Sequence, residues 1–152
     1  MLGAGMDRDA WVKAGLWFLV VQAAFVGVWA LFFPASFFTG FPGYGRTWVS
    51  PLGEYNEHLV TDVGGFNLAF AFLFGCAAMT MDRRLIMAAS ASFLFYALPH
   101  FSYHLAHSSV LEALDVALQN VSLLTVVVVP ALLLWSAWKQ PGEEGSTSVR
   151  SG

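Results

Sequence analysis

The chain has 152 residues, of which 57% are hydrophobic and 11% charged, with a formal net charge of −3 and a mean hydropathy of +0.63. Ordinary soluble domains carry about 25% charged residues, so this composition points to an integral membrane protein rather than a soluble enzyme. No basic block suggests nucleic acid as a partner, and the single cysteine, Cys76, excludes an intramolecular disulfide or a Cys-based zinc knuckle.

Four apolar segments reach the roughly 20 residues needed to cross a bilayer. They run over about 14–33, 59–81, 85–104 and 111–138. Because lipid cannot satisfy backbone polar groups, each span must be helical, and the expected fold is an all-α four-transmembrane-helix bundle. The first segment resembles a signal peptide only superficially. Its apolar run exceeds the usual h-region and ends in "FFPASFF", where bulky aromatics spoil a cleavage site, so it reads as a retained span. The loop at 34–58 is rich in Gly, Pro and aromatics and is expected to lie along the membrane surface, partly folded. The tail from 139 to 152 is polar, Gly/Ser-rich and expected to be disordered.

Arg8, Lys13, Arg83, Arg84, Lys139 and Arg150 lie on one side of this topology, and Arg46 alone lies on the other. The positive-inside rule then predicts both termini in the cytoplasm, and the plasma membrane is the expected location. Trp11, Trp17, Trp135 and Trp138 fit an inner aromatic belt, and Trp29 and Trp48 an outer one.

This orientation brings all four histidines to the outer side. The stretch "PHFSYHLAH" supplies His100, His104 and His107, and the start of the second span supplies His58. At 100° per residue, the three histidines of the third span form one stripe bordered by Tyr96 and Tyr103. His58 and Asp62 share a face of the second span, joined by Glu54 if that helix begins just after Pro51. Glu112, Asp115, Gln119 and Ser122 share a face of the fourth. Ionisable groups within spans need water, a partner or a cation. Imidazole and carboxylate together suit a divalent transition metal such as Zn or Fe. The predicted ligands are therefore His58, Asp62, His100, His104 and Asp115, with His107 exposed. Haem between facing helices is a weaker alternative. The same residues also fit a structural hydrogen-bond network or a proton relay.

The H-x-x-x-H spacing is shared with membrane desaturases and hydroxylases, but those use about eight histidines and this chain has four, so that assignment is rejected. No phosphate loop, nucleophile elbow or H-E-x-x-H motif is present. Gly64, Gly65 and Ala69 predict close helix approach in the second span. Asn67, pointing away from the His58 face, and Gln22 read as interhelical contacts, with a ligand contact the weaker alternative. Pro99 is expected to bend the third span just before the histidines.

Asp62-Val63-Gly64-Gly65 opening a span, the Arg83-Arg84 turn, and an apolar helix ending in His100 together resemble the core of DoxX-like four-helix membrane proteins, over residues 62–107. His104, His107 and the long first loop depart from that pattern. The resemblance implies a small membrane component of a redox or oxidative-stress system working near quinone, and it assigns no catalytic residue. Three functions follow: a metal or redox protein, a non-catalytic assembly subunit with a membrane partner or a second copy of itself, and a small-molecule or ion transporter. The inner halves of the spans offer a transported solute little beyond Asn67 and Gln22.

Overall fold

The structure is a computed structural model and describes residues 3–139. Four long helices account for the four apolar segments: α1 (Gly3–Phe32), α3 (Glu57–Thr80), α4 (Arg83–Ala106) and α5 (Ala113–Trp138). Each is long and apolar enough to cross a membrane. A short helix, α2 (Pro34–Gly40), and a two-stranded hairpin, β1 (Pro42–Gly43) with β2 (Arg46–Thr47), lie between α1 and α3. The expected 139–152 tail lies, beyond Lys139, outside the described residues.

Local chemistry sets the element ends. Pro34 opens α2, where its missing N–H costs nothing. Asn56 caps α3 by accepting from the Leu59 N–H at 3.1 Å, and Asp82 caps α4 by accepting from the Leu85 N–H at 2.8 Å. Met81, in the left-handed conformation, ends α3 and makes the turn into α4 tight. Because α3 begins at Glu57, Glu54 lies before the helix rather than on the His58–Asp62 face.

Around the bundle the order is α1, α3, α4, α5. The closest seams are α1 against α3 and α4 against α5. In the α1–α3 seam a Cβ on Gly64 would sit 2.7 Å from the Leu31 Cα, and one on Gly27 would sit 2.8 Å from Leu68 Cγ. Only glycine permits backbones this close. Gly65 has nothing within 4 Å of its would-be Cβ and Ala69 is exposed, so neither takes part in the seam.

The two ends of the bundle differ. At the turn end, where α3 meets α4, a continuous core joins Leu16, Leu19, Phe74, Ile86, Phe93 and Leu133. Arg83 ties this end together by donating from Nε to the Ala137 carbonyl at 2.8 Å, on the last turn of α5. At the loop end the helices enclose a cavity, and the connection after α1 covers it. The surface segment expected over 34–58 is thus a folded cap. Its hairpin turns through Tyr44 and Gly45, both at positive φ, a conformation that matches the twist of a tight hairpin. Phe37 and Phe41 of the cap meet Trp29 of α1 edge-on at 6.0 Å each, and Trp48 meets Phe41 edge-on at 6.1 Å.

Candidate functional site: a capped cavity at the loop end

Period-2 alternation places Arg46 and Trp48 on one side of the extended segment that leaves the hairpin. Both reach the same oxygen on the first turn of α5. Arg46 donates from Nη1 to Asp115 Oδ1 at 2.6 Å, and Trp48 donates from Nε1 to that oxygen at 2.9 Å. The apolar body of Trp48 is buried while its polar tip is satisfied. This clasp fixes the cap over the helices. Asp115 is therefore a structural anchor, and its partner Arg46 is the one cation that sequence places at this end.

Beneath the cap lies a cavity of about 770 Å³, within the range of small-molecule sites. Its walls are mostly apolar and aromatic, with Phe18, Phe25, Phe38, Phe41, Trp48 and Phe93 among them. All four long helices contribute a polar side chain to the interior: Gln22 from α1, Asn67 from α3, Tyr96, His100 and His104 from α4, and Gln119 from α5. Asn67 and Gln119 are each only 2% exposed, and His104 8%. Asn67 donates from Nδ2 to its own helix at Val63 O, 2.8 Å away, and sits against Tyr96. Tyr96 stacks on His100 at 5.3 Å, and His100 meets His104 edge-on at 4.6 Å. His104 in turn faces Gln119 across the α4–α5 seam.

Gln22 Oε1, His104 Nδ1 and Gln119 Oε1 are buried without a hydrogen bond of good geometry, and His104 and Gln119 are close enough to interact with each other.

The five residues predicted as metal ligands do not converge. His100 and His104 enter the cavity as neighbours. Asp115 is held by Arg46 and Trp48. His58 and Asp62 lie on the outside of α3, paired with each other at 3.4 Å, with the His58 side chain 87% exposed. Among the described residues no group of three His, Cys, Asp or Glu is placed to hold a metal ion. The polar face expected on α5 divides: Asp115 serves the cap, Gln119 and Ser122 line the cavity, and Glu112 is exposed before the helix. His107 is exposed as expected, stacked on Tyr103 at 4.1 Å with Nδ1 beside the Tyr103 carbonyl.

Sequence reasoning treated Gln22 and Asn67 as helix-packing groups, and both belong to the cavity. The available signal was depth. A neutral amide in mid-span has no interface to reach, whereas an ionisable pair at a helix end does.

The fold and the site together define the class: an integral, multi-pass membrane protein whose four-helix bundle encloses a ligand-sized cavity at one end. No protein-family model, curated protein or solved structure matches the chain. Of the residues that carry the DoxX-like resemblance, Asp62 faces outward, Gly64 forms the seam with α1, Arg83 locks the turn end and His100 enters the cavity.

Proposed function

We propose that this protein binds a small amphiphilic molecule taken from the bilayer, held in the loop-end cavity with that end facing away from the cytoplasm. The single observation that carries the reading is a roughly 770 Å³, mostly apolar chamber to which all four long helices contribute a polar side chain, Gln22, Asn67, His104 and Gln119. The orientation rests on the placement, among the described residues, of five of the six cations at the turn end. Binding is favoured over divalent-metal coordination because the cavity holds only two of the five expected ligands, fewer than the four a zinc site usually takes.

The test is to purify the protein, extract it with solvent and identify retained small molecules by mass spectrometry, beside Val126→Trp. Val126 lines the cavity and is only partly buried, so the larger ring fills ligand space. The expected result is a retained species, enriched over bulk lipid and lost from Val126→Trp, while circular dichroism shows both proteins folded. Identical extracts from the two, matching bulk lipid, overturn the reading. Stoichiometric zinc or iron that disappears in His100→Ala would restore the metal reading in its place.

A further inference from the structure

We infer that the cavity takes an amphiphilic amine, its ammonium held at a mouth beside Glu54 and its apolar body running down the chamber toward Phe93. The inference rests on the binding reading above and names its ligand class.

The mouth lies at the loop end. Glu54 and Asn56 ahead of α3, Leu59 on its first turn and Tyr103 on the last turn of α4 line the cavity and are also exposed, Leu59 by 62% and Tyr103 by 48%. The chamber therefore reaches the surface between the start of α3 and the end of α4. From that level its α4 wall descends from His104 to Phe93, roughly 16 Å at 1.5 Å per residue. Phe93 belongs to the turn-end core and forms the floor. The space is thus deep along the bundle axis and mostly apolar, which suits an extended hydrocarbon body.

Charge selects the head. Glu54 is the only carboxylate among the lining residues, and no lysine or arginine joins it. Among the described residues it has no ion-pair partner. The wider loop end has the same sign. Glu57, Asp62 and Glu112 are exposed there, and its one lysine or arginine among the described residues, Arg46, is taken up by Asp115. Such a field draws cations toward the mouth and repels anions. An anionic head would meet Glu54 with no counter-charge, whereas an ammonium donates to the carboxylate. Seated deeper, the ammonium would lose its water and meet no opposite charge. The head therefore stays at the mouth, and the apolar body takes the chamber.

The experiment uses the full chain in phosphatidylcholine vesicles at pH 7 with three probes of matched length: hexadecylamine, 1-hexadecanol and palmitate. The readout is the tryptophan-monitored unfolding midpoint as each probe's mole fraction rises, since a ligand that binds the folded state raises it. Hexadecylamine is expected to raise the midpoint saturably at the lowest mole fraction, hexadecanol at a higher one and palmitate least of all. Glu54→Gln should weaken the amine response about two- to fivefold, the range for an exposed ion pair, and leave the alcohol response unchanged. Glu112→Gln removes an exposed carboxylate outside the cavity and should leave both unchanged. The ranking of the probes is read on the unaltered protein, so it survives a variant that fails to fold. An alcohol or palmitate response equal to the amine's overturns the amine assignment and leaves the binding reading standing. So does an amine response that Glu54→Gln does not weaken, or that Glu112→Gln weakens equally. Indifference to all three probes, together with identical extracts from Val126→Trp and the unaltered protein, overturns both.

Discussion

Gly64 and Gly65 are adjacent in sequence and opposite in consequence, which makes Gly64→Ala and Gly65→Ala a sharp test of how the bundle is built. A Cβ on Gly64 would lie 2.7 Å from the Leu31 Cα and 2.8 Å from its Cβ, whereas one on Gly65 meets nothing within 4 Å. Leu31 N is closer still, so restoring an ordinary 3.4 Å contact at Gly64 requires α1 and α3 to separate by about 1 Å, and the obstacle is backbone, which cannot rotate aside. Overpacking of this kind typically costs about 1–3 kcal/mol. Both substitutions gain the helix propensity of alanine over glycine, up to about 1 kcal/mol. That gain cancels in the comparison, so Gly64→Ala should be less stable than Gly65→Ala by about 1–3 kcal/mol. Equilibrium unfolding in mixed dodecyl-sulfate micelles, followed by far-UV circular dichroism, measures the difference. Asn67 lies one turn from Gly64 on α3, so Gly64→Ala should weaken ligand retention as well. Equal stability of the two variants would refute the close α1–α3 approach and, with it, the position given to Asn67.

Other outcomes follow from individual residues. Ser90 is fully buried with Oγ unpartnered, so Ser90→Ala should raise the unfolding midpoint by removing a desolvation cost of about 1–3 kcal/mol; a lowered midpoint would mean the hydroxyl has a partner. Asp115→Asn removes the charge that anchors Arg46, and hydrogen exchange across residues 34–52 should accelerate while the α3–α4 turn keeps its protection; an unchanged cap would deny the clasp. His58→Ala and Asp62→Ala alter an exposed pair, and both should leave stability and ligand retention unchanged. Loss of retention in either would return α3's outer face to the site.

Hydropathy made the four spans legible because span length is set by the bilayer, and the helices of the structure coincide with them to within a few residues at their loop and turn ends, apart from the earlier start of α1. Relative helix faces were legible too. Nine residues separate His58 from Asn67, which at 100° each places them about 180° apart. What periodicity does not supply is which of two polar faces turns inward. Charge suggested the His58–Asp62 face, but that pair lies at the helix end, where it is satisfied outside the bundle, and Asn67 with Gly64 takes the interior. The cap was not legible for a different reason. Arg46 and Trp48 lie 69 and 67 residues before Asp115, and no local spacing announces a pairing over that distance. Read from sequence, Arg46 was a lone outer cation and Asp115 a costly intramembrane acid. Each is the answer to the other.

The central claim is that a small amphiphilic molecule from the bilayer occupies the loop-end cavity, and photolabelling tests it most directly. A diazirine-bearing long-chain alcohol, placed in vesicles with the protein and photolysed, should label cavity residues Gln22, Tyr96 and Gln119 on three different helices. Unlabelled hexadecanol should suppress that labelling. Labels spread over outward-facing Val21, Phe66, Phe72 and Phe95, unaffected by competitor and absent from the cavity, would contradict the account.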